Sequence, residues 1–212
     1  MNKKVLSFQI TVFVIFAAGF SSLVFFTDIY DETLNRIVSV TCLSCIKLDP
    51  KTSSEFLFET VDNQVHPDFV LENLAKGPVL IAYRKDVCEA CDEMEPLLQD
   101  IFGLTFEKED VFFENVNFDG TNVTFLHINI DHSSEVLRKS MHVYDKDNIN
   151  GVPMFTLITL NYNYDGIVIP YYSTLYGKLG LTHDEEIKTF LTDIIKDGIT
   201  LYNDNIAGYI KE

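Results

Sequence analysis

Cys88-Glu89-Ala90-Cys91 is the stretch of this 212-residue chain best suited to do chemistry. A thiolate, not a thiol, attacks disulfides. Two cysteines three positions apart meet on one helical turn. The pair follows Pro78-Val79-Leu80-Ile81-Ala82-Tyr83, a nearly continuous apolar run, and precedes Met94, Leu97, Leu98, Ile101 and Phe102 at helical spacing. It therefore lies where a buried strand gives way to a helix N-terminus. The unpaired N–H groups and positive dipole end of such a terminus favour a thiolate. In that setting Cys88 is the exposed nucleophile and Cys91 the more buried resolving thiol. Cys-x-x-Cys also occurs in zinc sites, but a pair at a strand end inside a βαβ pattern points to redox chemistry. A closed disulfide that only braces the turn is the inert alternative.

The surrounding elements must position the pair. Phe56–Val61 reads as a strand from its aromatic and β-branched content, and His66–Ala75 as a short helix closed at Gly77. A strand over 78–83 and a helix over 88–102 follow. Residues 103–121 read as a polar, acidic excursion, long enough to suggest an inserted element. Val123–Ile130 is a strand, and Ser133-Ser134 caps a helix carrying Val136, Leu137 and Met141. Met154–Leu160 and Ile167–Tyr176 are antiparallel partners across the Asp165-Gly166 turn, with Pro170 marking an edge. Thr182-His183-Asp184-Glu185 is a capping box ahead of a last amphipathic helix. The order β-α-β-α-β-α-β-β-α predicts an α/β fold, a central mixed sheet flanked by helices.

Composition narrows the partners. Acidic residues number 32 against 16 basic, a net charge of −16, which disfavours nucleic acid and anionic lipid as default partners. Apolar residues make up 47% and supply a core. Residues 5–27 carry no charge and follow Lys3 and Lys4. That run is long enough to cross a bilayer as an N-terminal transmembrane helix. It reads as a signal anchor in 1–27, with a cleaved, secreted form as the alternative. The positive-inside rule then places the acidic bulk outside the cytoplasm. Residues 28–54 form a juxtamembrane linker, 55–197 the domain and 198–212 a C-terminal tail.

At this point the chain resembles the thioredoxin superfamily over about residues 55–197. The Cys-x-x-Cys opens a helix after a buried strand. Pro96 falls five residues after the second cysteine, and Leu126-His127-Ile128-Asn129-Ile130-Asp131 looks like the family strand that ends in Asp. Val152-Pro153 looks like the family's cis-proline site; Gly177 and the helix after Thr182 match its closing elements. The resemblance implies a thioredoxin-like fold and catalysis by Cys88 and Cys91. Val152 and Pro153 would pair with an extended substrate strand. It implies no organic cofactor, because the two sulfurs carry the electrons, and no metal. There are departures. Val87 stands where the family carries Trp, Ala82 where it carries a buried acid, and His127 where it carries that acid's lysine partner. His127 and Glu89 are the candidates for proton transfer or tuning.

Asp86, Asp92, Glu93 and Glu95 surround the pair with negative charge against Arg84 and Lys85. Anions beside a thiol disfavour the thiolate, and a less stabilised thiolate makes a more reducing couple. The expectation is a protein-disulfide reductase acting on exported protein thiols and disulfides and fed by a membrane electron donor. An oxidase or isomerase using the same residues, or a redox-inert binding module, is the alternative. Cys42 and Cys45 form a second thiol pair with no buried strand before it. A small disulfide loop, a shuttle to Cys88–Cys91 and a four-cysteine metal site are its readings, in that order. Tyr162, Tyr164, Tyr171, Tyr172 and Tyr176 fit either a binding surface or the aromatic pairing of a hairpin.

Overall fold

The computed structural model describes residues 55–109 and 111–209. The apolar segment 5–27 and the Cys42 and Cys45 thiols lie outside these residues. Among the described residues no helix is long and apolar enough to cross a membrane. The elements are α1 (Asp68–Leu74), β1 (Val79–Arg84), α2 (Glu89–Phe102), β2 (Val111–Phe118), β3 (Thr121–Asn129), α3 (Glu135–Tyr144), β4 (Met154–Tyr162), β5 (Val168–Tyr176) and α4 (Asp184–Asn205). One five-stranded mixed sheet has the order β2-β3-β1-β4-β5. Only β1 and β3 run parallel; the other neighbours are antiparallel.

β1 is buried at every position because both its faces are covered. Val79, Ile81 and Tyr83 share a cluster with Val70 and Leu74 of α1 and Met141 and Tyr144 of α3. Leu80 and Ala82 share the opposite cluster with Met94, Leu97 and Leu98 of α2 and Ile187, Leu191 and Ile194 of α4. The period of two in the strand and the helical spacing in α2 thus meet across one layer. At roughly 2 kcal/mol per large apolar side chain removed from water, the buried face of α2 fixes that helix to the sheet by several kcal/mol. α2 ends at Gly103, whose φ of 63° lets its N–H turn back to the Gln99 carbonyl.

Four sequence expectations change. Phe56–Val61 is not a sheet strand; only Leu57 bridges to Tyr172, and a 3-10 turn at Val61–Asn63 follows. The excursion at 103–121 contains the edge strand β2, joined to β3 by a two-residue turn at Asp119-Gly120. Both turn residues have positive φ, which suits the twist of a tight hairpin. The last helix begins at Asp184 with His183 as N-cap and no capping side-chain bond, so Thr182 does not close a capping box. That helix also continues past 197 to Asn205, burying Ile199 and Tyr202, so the start of the expected tail is helix. The tyrosine run lies on the β4–β5 hairpin, where Phe58 packs on Tyr164 and Tyr171 at 5.5 and 5.6 Å.

Gly77 turns the chain into β1 directly against the start of β3. A Cβ there would overlap the Asn122 backbone carbonyl, and backbone has little freedom to move aside. Gly77→Ala is expected to cost about 3 kcal/mol, as overpacking against a fixed wall does. Equilibrium denaturation measures this; an unchanged midpoint would contradict the placement of the turn.

Candidate active site

β1 ends at Arg84, and residues 85–87 turn the chain into α2. Cys88 is the N-cap, extended at φ −153° and ψ 92°. Its carbonyl accepts the N–H groups of Cys91 and Asp92 at 3.1 Å each, and its Sγ accepts the Cys91 N–H at 3.1 Å. The sulfur thus occupies the place of a capping oxygen and uses the free donors of the first turn. Cys88 and Cys91 are joined as a disulfide with their Cα atoms 5.2 Å apart. Cys91 is 2% exposed, Cys88 is half-buried, and Val87 beside it is 96% exposed. One sulfur is reachable across an apolar lip, and the other is shielded.

Beneath Cys91 lies a charged cluster. Arg84, 2% exposed, donates from Nη1 to Glu95, from Nη2 to Asp92 at 2.9 Å and from Nε to the Lys85 carbonyl at 3.1 Å. Glu95 Oε1 also lies 3.0 Å from His127 Nε2. Glu95 reaches this position because it follows Cys91 by four residues on the same face of α2. His127 reaches it from β3, where it pairs in register with Ala82 of β1. The Phe106 ring stands 4.5 Å from the imidazole and walls it in. A cavity of about 10 Å³, room for one water, is lined by Cys91, Glu95, His127, Arg84 and Pro153 among others.

Burial of the Glu95 carboxyl pushes its pKa up, but hydrogen bonds from His127 and Arg84 and the attraction of the guanidinium outweigh it. The net effect holds the carboxyl below its ordinary 4.5. Glu95 is therefore ionised at neutral pH and His127 Nε2 donates to it.

The negative field anticipated around the thiols is mostly spent locally. Asp92 and Glu95 pair with Arg84, Glu93 pairs with Lys178, and Asp86 accepts from Asn129 at 2.8 Å and lies 3.0 Å from His132. The acids are there, but each faces a donor that the folding brings to it.

The loop before β4 completes the site. The Asp145 carboxylate, buried, accepts the N–H groups of Ile149 and Asn150 at 3.0 and 2.7 Å and the Tyr176 hydroxyl at 2.8 Å. This anchors the turn that leads into Val152-Pro153, whose peptide bond is cis. Pro153 is buried on the cavity wall beside Cys91, and Val152, half-buried, precedes the β4 ladder. Gly177, at φ 61°, donates to the Pro153 carbonyl at 2.9 Å and ties the end of β5 to this loop.

The mixed sheet, its flanking helices and the Cys-x-x-Cys pair at a helix N-terminus fit a thioredoxin-like fold. No family model matches the chain, and no curated protein matches it either. The site is thus read from its own geometry. That geometry joins Cys88 to Cys91 and places Pro153 and His127 around the same cavity. Glu89 remains exposed on the first turn of α2, outside the cavity lining. Glu95 and Arg84, considered in the sequence only as background charge, form the cluster's centre. The signal was a carboxylate on the helix face that also carries Cys91, Met94 and Leu98.

Glu95 contributes stability through its ionised form. A carboxyl whose folded pKa is depressed stabilises above its unfolded value and loses that contribution as pH falls through the folded one. Glu95→Gln is expected to cost about 2 kcal/mol at neutral pH, the scale of hydrogen bonds to charged groups. It should also make the native decline below about pH 4.5 shallower. Denaturant midpoints across acidic pH check both; identical curves for native and variant would contradict the pairing.

Proposed function

We propose that this chain is a thiol–disulfide oxidoreductase, running as a protein-disulfide reductase with a thioredoxin-like site. The observation that carries the reading is an accessible–buried cysteine pair at a helix N-terminus, set above an imidazole–carboxylate pair. Reduced Cys88 attacks one sulfur of a substrate cystine, and the first substrate sulfur leaves as a thiolate and takes a proton. Cys91 then gives its proton to His127 across the cavity and attacks Cys88 Sγ. The second substrate thiol leaves, and Cys88–Cys91 is oxidised. Two electrons have passed to the substrate.

Glu95 is too acidic to be the base near neutrality, whereas imidazole titrates in that range. Glu95 orients the ring and stabilises the imidazolium, the role of the third group in a nucleophile–base–orienter set. Glu89 takes no part. Val152 and Pro153 form the wall along which a substrate strand lies. Direction follows from how little the reduced thiolate gains. Cys88 has one close N–H, and the Arg84 guanidinium is committed to Asp92 and Glu95. A weakly stabilised thiolate makes a reducing couple. In this reading residues 5–27 anchor the domain outside the cytoplasm, exported protein disulfides are the substrates, and a membrane thiol carrier returns the electrons.

The test is a redox titration of the chain carrying Cys42→Ser and Cys45→Ser, followed by alkylation and mass shift. A potential near about −270 mV is expected, one near about −120 mV would make the protein an oxidant, and a bridge that never equilibrates would end the enzymatic reading. Adding Cys91→Ser should leave substrate trapped on Cys88 as a mixed disulfide.

A further inference from the structure

A second, larger cleft of about 420 Å³ opens at the same end of the sheet as the disulfide. Lys85, three residues before Cys88, stands on one side, and Asn150, two residues before Val152, on another. Buried Ile130 and Met141 give it an apolar lining. Arg138 and His142, one turn apart on α3, complete it. In a chain with net charge −16, this concentration of basic groups is unusual. Arg84, Lys139, Lys146, Lys178, Lys188 and Lys196 form salt bridges; Lys85 and Arg138 form none among the described residues, and Arg138 is attracted to Glu135. Two acids are near. Glu135, one turn before Arg138, is held by Lys139 at 2.6 Å. Asp131 lines the cleft and accepts the Asp86 N–H at 2.9 Å, which ties the wall of the cleft to the turn leading into Cys88.

We infer that this cleft is a carboxylate-accepting subsite, which selects polypeptide substrates carrying Asp or Glu beside the cystine to be reduced. The inference rests on the reductase reading above. A substrate strand lying along Val152 towards Cys88 passes between Asn150 and Lys85, so a neighbouring side chain enters the cleft. Its volume of about 420 Å³ has room for an acidic side chain and its neighbours. Lys85 and Arg138 offer a carboxylate two cationic partners in a cleft that also holds Asp131. The exchange itself is balanced: the Cys88–Cys91 dithiol is oxidised to the disulfide, and the peptide cystine is reduced to two thiols.

The test uses the full chain with Cys42→Ser and Cys45→Ser, reduced beforehand and then mixed with excess of one cystine peptide. Three peptides differ only in the flanking residue, Glu, Gln or Lys, and oxidised glutathione serves as a small carboxylate-bearing disulfide. Oxidation of Cys88–Cys91 is followed by alkylation. The order Glu over Gln over Lys is expected, with roughly fivefold between Glu and Gln, the effect of one or two partly exposed ion pairs. High salt should compress it, Lys85→Gln with Arg138→Gln should erase it, and Arg138→Glu should favour the Lys peptide. Equal rates for all three peptides would overturn the inference while leaving the reductase reading intact. Oxidation by none of them would remove both. A preference shown by glutathione over every peptide would replace the polypeptide with a small thiol as the ligand.

Discussion

A guanidinium buried at the end of β1 is the constraint around which the site is built. Leaving such a charge unpaired costs several kcal/mol, so the sequence around Arg84 must bring acids to it. α2 does so twice, with Asp92 and Glu95 one turn apart. Both pairs fasten the start of α2 to the end of β1, where the chain must turn sharply to place Cys88 at the N-cap. The cation thereby fixes the geometry of the disulfide and holds ionised the carboxylate that orients His127. The strand carries Ala82 in register with His127, and the acid comes from the helix, one layer away.

The same end of the sheet gathers every other part of the site. Asp145 holds the loop before β4, and Gly177 holds it from the other side. The acidic composition is compatible with this because Asp92 and Glu95 share Arg84, Glu93 meets Lys178 and Asp86 meets Asn129 and His132, while Glu89 stands exposed.

Much of the fold was legible in the sequence. β1 showed as a continuous apolar run, and α2 as a helical stripe behind the cysteines. Both depend on local periodicity that burial on two faces or one produces directly. Phe56–Val61 has strand composition, but composition does not supply a partner, and only Leu57 finds one. β2 was hidden because Glu114 breaks the alternating face of Phe112, Val116 and Phe118, and Asn115 and Asn117 make the segment read as polar. Its signal was the Asp119-Gly120 turn, which outweighs composition in a hairpin. Thr182 lost the N-cap position to His183 although the capping pattern was present. Cys88, Cys91, Pro153 and His127 were visible as residue types at telling places. Glu95 was not, because the meaning of an acid on an apolar helix face depends on what the neighbouring strands bring opposite it, and that is a tertiary fact.

The proton path through the cluster is the central claim, and it can be measured at the step it serves. A mixed disulfide preformed on Cys88 releases its second thiol when Cys91 attacks, and stopped-flow detection of that thiol gives the rate across pH. His127→Gln keeps a donor for Glu95 but removes the titrating ring. The native protein is expected to release the thiol roughly a hundredfold faster than the variant at neutral pH, the usual worth of a positioned base, and the variant's rate to follow only the thiol's own ionisation. Superimposable profiles for the two proteins would contradict the proton path.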